Sequence, residues 1–180
     1  MNKQNKQLIR KDYYEVSFDS SKKCFDTIRD PKKNWFVIGG KYRDIVIKTD
    51  KHIEIIECED LQKATVSNEI LLEKIKNECS QYECFCEPKI EDTLTLNEEM
   101  LIIKGTFDYG YDYSYFAVYL TKEDKVLIEL SCDLLRVLLL DGTHYFVTHW
   151  QKMEACAEGV FIYRVENGSF VEVFNYGQDT

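Results

Sequence analysis

Two prolines, eight glycines and three histidines in 180 residues leave this chain short of the residues that interrupt and that catalyse. No Pro/Gly/Ser-rich stretch marks a linker, so the simplest organisation is one domain over residues 1–180, large enough to bury about 70% of its unfolded surface. No apolar run approaches the ~18–20 residues that span a bilayer, so no membrane partner is expected. Met1–Lys11 is Lys/Gln/Asn-rich with only Leu8 and Ile9 apolar. It has no signal-peptide core, and a cytoplasmic protein is expected. Gly39-Gly40 follows an apolar segment but carries neither a G-x-G-x-x-G nor a Walker pattern, so no phosphate cradle and no nucleotide cofactor are expected. Self-similarity at solenoid period is missing as well.

What is there begins with charge. The net charge is −9, distributed unevenly. Residues 1–50 carry 12 basic and 7 acidic groups, residues 51–180 carry 11 basic and 25 acidic groups. The main body lacks the dense basic face that neutralises phosphates, which argues against nucleic acid. A protein partner with a basic surface is the better electrostatic match. The sequence does not fix the oligomeric state.

Local patterns predict mostly strands. Met1–Asp12 is polar and expected to fray. Tyr13–Phe18 alternates, Asp19–Lys33 is turn-rich, and Trp35–Ile38, Asp44–Lys48 and His52–Glu57 complete a small N-terminal meander. One helix is predicted over Leu61–Tyr82, from the stripe Leu71, Ile75, Cys79 and Tyr82, with Thr65, Ser67 or Asn68 as cap. Cys84–Thr95, containing Pro88, reads as a loop. Met100–Phe107, Tyr113–Thr121 and Val126–Leu130 follow as strands.

The C-terminal third is the most strongly specified. Leu134–Leu140 and Thr143–Trp150 flank Asp141-Gly142; Val160–Val165 and Phe170–Tyr176 flank Glu166-Asn167-Gly168-Ser169. Asp-Gly and Asn-Gly favour type I′ hairpin turns, because positive φ at both central positions is cheapest for these residues. A helical turn over Cys132–Leu139 competes with the first strand, but Asp-Gly followed directly by Thr143–Val147 favours a hairpin. The first closure pairs Leu138 with Tyr145 and Arg136 with Val147. The second pairs Val165 with Phe170, Tyr163 with Glu172 and Phe161 with Phe174. Both faces of the second hairpin are then apolar, one to be covered by strands and the other by the helix. The expected fold is a single α+β domain: mainly antiparallel β-sheet in meanders and hairpins, one long helix packed on it, and a smaller N-terminal meander.

Candidate chemistry is sparse. The seven cysteines, odd in number and irregularly spaced, point to reduced thiols. Cys79, Cys84 and Cys86 lack an evident fourth ligand, so no metal is expected. A Cys–His nucleophile would need Cys132 or Cys156 beside His149, and no known nucleophile signature surrounds them. Paired carboxylates mean little in so acidic a chain. One stretch has the composition of a contact surface: Asp108, Tyr109, Tyr111, Asp112, Tyr113 and Tyr115. Tyrosines mixed with Gly and Ser give large amphipathic contact area at low entropic cost, and the two aspartates suit Arg or Lys anchors. The alternative is a hairpin whose tyrosines pack laterally on the sheet. The sequence therefore points to a protein-binding inhibitor or immunity-type protein without catalytic residues or cofactor, with a Cys/His enzyme or a small-ligand module as alternatives.

Overall fold

The computed structural model describes residues 13–27, 35–38, 44–49, 51–80, 87–108, 112–152 and 157–178. Four strands come first: β1 (Tyr13–Asp19), β2 (Cys24–Thr27), β3 (Trp35–Ile38) and β4 (Asp44–Lys48). Then come β5 (Ile53–Ile56), a short 3-10 turn (Cys58–Asp60), β6 (Gln62–Lys63) and helix α1 (Asn68–Cys79). A second series follows: β7 (Glu87–Thr95), β8 (Met100–Asp108), β9 (Asp112–Leu120) and β10 (Lys125–Leu130). The chain finishes with β11 (Cys132–Leu140), β12 (Thr143–Lys152), β13 (Ala157–Glu166) and β14 (Ser169–Gln178). These strands form three sheets, ordered β2-β1-β4-β3, β10-β9-β8-β7-β6 and β14-β13-β12-β11-β5. The fold is α+β and mainly antiparallel, as the sequence predicts.

Both predicted hairpins form through their predicted turns. Asp141 and Gly142 have φ of 52° and 72°, Asn167 and Gly168 of 52° and 67°. That is the left-handed pair a type I′ turn requires. Leu138 faces Tyr145 and Arg136 faces Val147; Val165 faces Phe170 and Tyr163 faces Glu172. Beyond that point the second register differs from expectation. A bulge opposite Ile162/Tyr163 makes Ile162, not Phe161, the partner of Phe174. One extra residue reverses the facing of everything past it. Phe174 accordingly joins Val160 and Ile162 in one core cluster, while Phe161 packs on the opposite face.

The layers also differ from the predicted arrangement. Helix α1 does not cover the hairpin sheet; its stripe Leu71, Ile75 and Cys79 packs on Ile103, Tyr115, Ala117 and Val126 of the β7–β10 sheet. That sheet's other face meets the hairpin sheet through Phe116, Val118, Leu127, Val137, Phe146 and Tyr163. The hairpin sheet's far face is closed by the N-terminal strands, with Ile47 and Phe18 against Leu138, Tyr145 and Ile162. The order is therefore helix, sheet, sheet, small sheet. Both five-stranded sheets are apolar on both faces because both are interior layers.

Three local expectations are corrected. The helix begins at Asn68 rather than near Leu61, because Gln62 and Lys63 pair with Thr95 and Leu94. Cys84–Thr95 is not a loop throughout, since Glu87–Thr95 is a strand. Pro88 is the register partner of Phe107 on β8, but on its other side β6 reaches only Leu94 and Thr95. Among the described residues this end of β7 is therefore a sheet edge, where proline is tolerated. Finally, the N-terminal sheet is not a simple meander. β1 and β4 pair in parallel, β2 forms within the turn-rich segment, and β5 leaves to pair with β11. The predicted end of the helical stripe at Tyr82 and Met1–Asp12, expected from the sequence to fray, lie outside the described residues.

One side chain ties the N-terminal sheet to the body. Arg164 Nη1 donates to the carbonyls of Lys22 (3.2 Å) and Lys23 (2.6 Å), while Nε and Nη2 donate to Glu166. Lys23, at φ 51°, is held in the left-handed region where its carbonyl turns toward Arg164. Arg164→Met is expected to cost about 1.5–3 kcal/mol, the range for hydrogen bonds to charged groups. In amide exchange, protection should fall in β1 and β2 and stay unchanged in β8 and β9; equal loss everywhere would show that the clamp is not local.

Candidate functional site

The tyrosine-rich stretch is a hairpin connection. β8 ends at Asp108 and β9 begins at Asp112, and these two are register partners. Tyr109, Gly110 and Tyr111 lie outside the described residues. Tyr113 faces Phe107 and is half-buried. Tyr115 is corrected from contact residue to core residue: it is 2% exposed and lies under helix α1 in the cluster with Cys79 and Ile103.

The cause is a cross-strand fit that only glycine permits. Tyr115 is paired with Gly105, and its ring crosses that residue to donate its hydroxyl to the Lys89 carbonyl at 3.2 Å. Phe107 packs beside it, ring centroids 4.6 Å apart. A Cβ on residue 105 would clash with the Lys89 carbonyl oxygen and sit 2.5 Å from Tyr115 Cζ. Gly105→Ala should therefore destabilise the protein by about 1–3 kcal/mol or more in urea unfolding, and Tyr115→Phe by about 1 kcal/mol. If Gly105→Ala proved neutral, this account of Tyr115 would be wrong.

Of the two candidate thiols, Cys132 does not pair with His149. Cys132 is the partner of Trp150, and His149 is the partner of Asp133. Adjacent positions on paired strands project to opposite faces, so Cys132 and His149 lie on opposite sides of the sheet. Cys132 is also buried, and that burial pushes its thiol far above the usual range, with the nearby Glu129 adding to the effect. This is the reverse of an activated thiolate. Burial holds His144 below the usual histidine range. Cys156, Cys84 and Cys86 lie outside the described residues; Cys79 is buried in the helix stripe. Among the described residues, no three His, Cys, Asp or Glu side chains converge as metal ligands.

Sequence reasoning missed a different cluster. Within Lys125–Leu130, Val126 packs toward the helix and Leu127 toward the hairpin sheet. Two residues beyond Leu127, Glu129 is thus aimed between the two large sheets. Burial raises its pKa, repulsion from Glu172 adds to this, and a hydrogen bond from the Tyr163 hydroxyl opposes it. Tyr163 is itself 7% exposed, and its phenol is pushed far above the usual range by burial and then by Glu129. Glu172 faces Tyr163 across the β13–β14 ladder, exposed at the rim. The floor is aromatic: Phe161 stacks on Tyr163 at 5.8 Å, and Trp150 lies 5.9 Å from Phe161. A charged residue at an inward position of an otherwise apolar strand was the signal available in the sequence.

Because the folded carboxyl of Glu129 titrates above its unfolded value, its ionisation opposes folding at neutral pH. That opposition fades as pH falls through the folded pKa. Glu129→Gln is therefore expected to raise the melting midpoint by a few degrees at pH 7, with the gain shrinking toward pH 4. A gain independent of pH would exclude ionisation as its source. The chain matches no described protein family, no curated protein and no solved structure.

Proposed function

We propose that this protein binds a second protein carrying a basic surface and neutralises it, in the manner of an inhibitor or immunity-type protein acting on a toxin or nuclease. The observation that carries this reading is the disposition of charge on the body. Its basic side chains are largely engaged at home: Lys63 with Asp92, Lys74 with Asp124, Lys76 with Glu87, Lys122 with Glu99, Arg136 with Glu57 and Arg164 with Glu166. Exposed acids such as Glu59, Asp60, Glu69, Glu73, Glu98 and Glu123 have no ion-pair partner among the described residues. An acidic field of this kind speeds encounter with a basic partner and repels acidic ones. The β8–β9 connection, with Asp108, Tyr109, Tyr111, Asp112 and Tyr113, is the proposed contact point.

The test is capture on immobilised protein, followed by assay of what is retained. The expected partner is basic, is released as salt rises from about 50 to 500 mM, and loses activity in stoichiometric mixture with this protein. A Tyr111→Ala/Tyr113→Ala variant should recover much less of it. Equal recovery would remove the connection from the interface, and retention indifferent to salt would remove the electrostatic reading. As for membranes, no helix among the described residues is long and apolar enough to cross one. Residence in the cytoplasm is part of the proposal.

A further inference from the structure

The rim where β10 faces β13 and β14 holds a half-buried carboxylate, Glu129. Glu129 is the register partner of Phe116 on β9, accepts a hydrogen bond from the Tyr163 hydroxyl on β13, and is repelled by Glu172. Among the described residues no Lys or Arg lies within ion-pairing distance of it. An apolar residue at this position would close the rim as Leu127 closes the layer beside it. Instead, a group whose charge is costly to desolvate occupies it, and such groups are ordinarily paired. The surroundings suit one kind of pairing. Phe161 and Trp150 are only half-buried, so ring surface remains at the open end of the layer. Tyr163 hydrogen-bonds to Glu129 and is the register partner of Glu172.

We infer that Glu129, Tyr163 and Glu172, floored by Phe161 and Trp150, form a binding site for a guanidinium group. A guanidinium is planar, stacks on aromatic faces, donates in two directions at once and is weakly hydrated. It can lie on the ring floor while pairing with Glu129 inside and Glu172 at the rim. An ammonium, compact and strongly hydrated, gains less from the same walls. This inference deepens the proposed function, and rests on it, where the guanidinium belongs to an arginine of the basic partner. A free guanidinium compound presents the same chemistry.

The experiment uses the full chain with Trp35→Phe, so that Trp150 is the only fluorescent indole. It is titrated at constant ionic strength with arginine amide, lysine amide, sodium chloride and an arginine-rich peptide. A saturable response to arginine amide is expected at millimolar concentration, at least about tenfold weaker in Glu129→Gln, weaker in Glu172→Gln, and weaker for lysine amide. Response to the amide identifies a free compound as sufficient; response to the peptide alone identifies an arginine held in a protein. The melting midpoint gives a second readout, rising with arginine amide in the parent and not in Glu129→Gln. Equal responses to arginine amide and sodium chloride, or an unchanged midpoint of titration in Glu129→Gln, would overturn the inference. If a captured basic partner is held equally by Glu129→Gln, this corner fails while the partner reading stands. Arginine amide binding without any captured partner would leave the corner and remove the partner reading.

Discussion

The molecule depends on one aromatic contact layer between its two large sheets. Phe116 reaches from β9 to Phe146 at 6.0 Å and Phe170 at 5.3 Å, and Phe170 in turn packs against Phe146 at 6.1 Å and Tyr163 at 5.6 Å. Each large ring contributes buried area well beyond that of an aliphatic side chain, and offset or edge-on pairs add to it. With this layer in place, each sheet has one apolar face left over. Helix α1 closes one and the N-terminal sheet closes the other. Remove the ring layer and both outer elements would be packing on a sheet with no partner behind it.

The hairpins were legible because their determinants are local. Asp-Gly and Asn-Gly fix the turn, and the turn fixes the register until a bulge intervenes. The bulge at Val173 leaves no mark in composition, so an unbroken register places Phe174 on the wrong face. A second bulge, between Ile90 and Asp92, hid strand β7. It puts Ile90 in the helix-side cluster and Leu94 in the inter-sheet cluster, although four residues apart they would otherwise share a face. Sheet membership was less legible still, since β5 pairs with Leu140–Val137, more than eighty positions away in the chain. The burial of Tyr115 could not be read either. It follows from being opposite Gly105, which is a fact of register rather than of composition.

Charge works in two settings here. On the outer surface, carboxylates are solvated and act at a distance, in a manner that salt weakens. At the rim, Glu129 is half-buried, so a nearby cation would be felt more strongly there than on the open surface. Inward-pointing charge also has a structural reading, because edge strands are commonly guarded in this way against pairing with other chains. The two readings are compatible: a carboxylate that discourages an incoming strand can still accept a cation from the open side.

The order of strands along the chain carries a consequence for synthesis. β7 to β10 and β11 to β14 are each runs of neighbours paired in succession, joined by a single residue, Ser131, at φ 57°. Each run closes through short loops, which favours rapid assembly. The N-terminal strands and β5 leave the ribosome first, yet the apolar surface they cover belongs to β11–β14, which leave last. Those early strands must wait for β11–β14 before they can dock. β1–β5 are made before the strands they pack on, and until those strands emerge they are exposed to chaperones and to wrong partners.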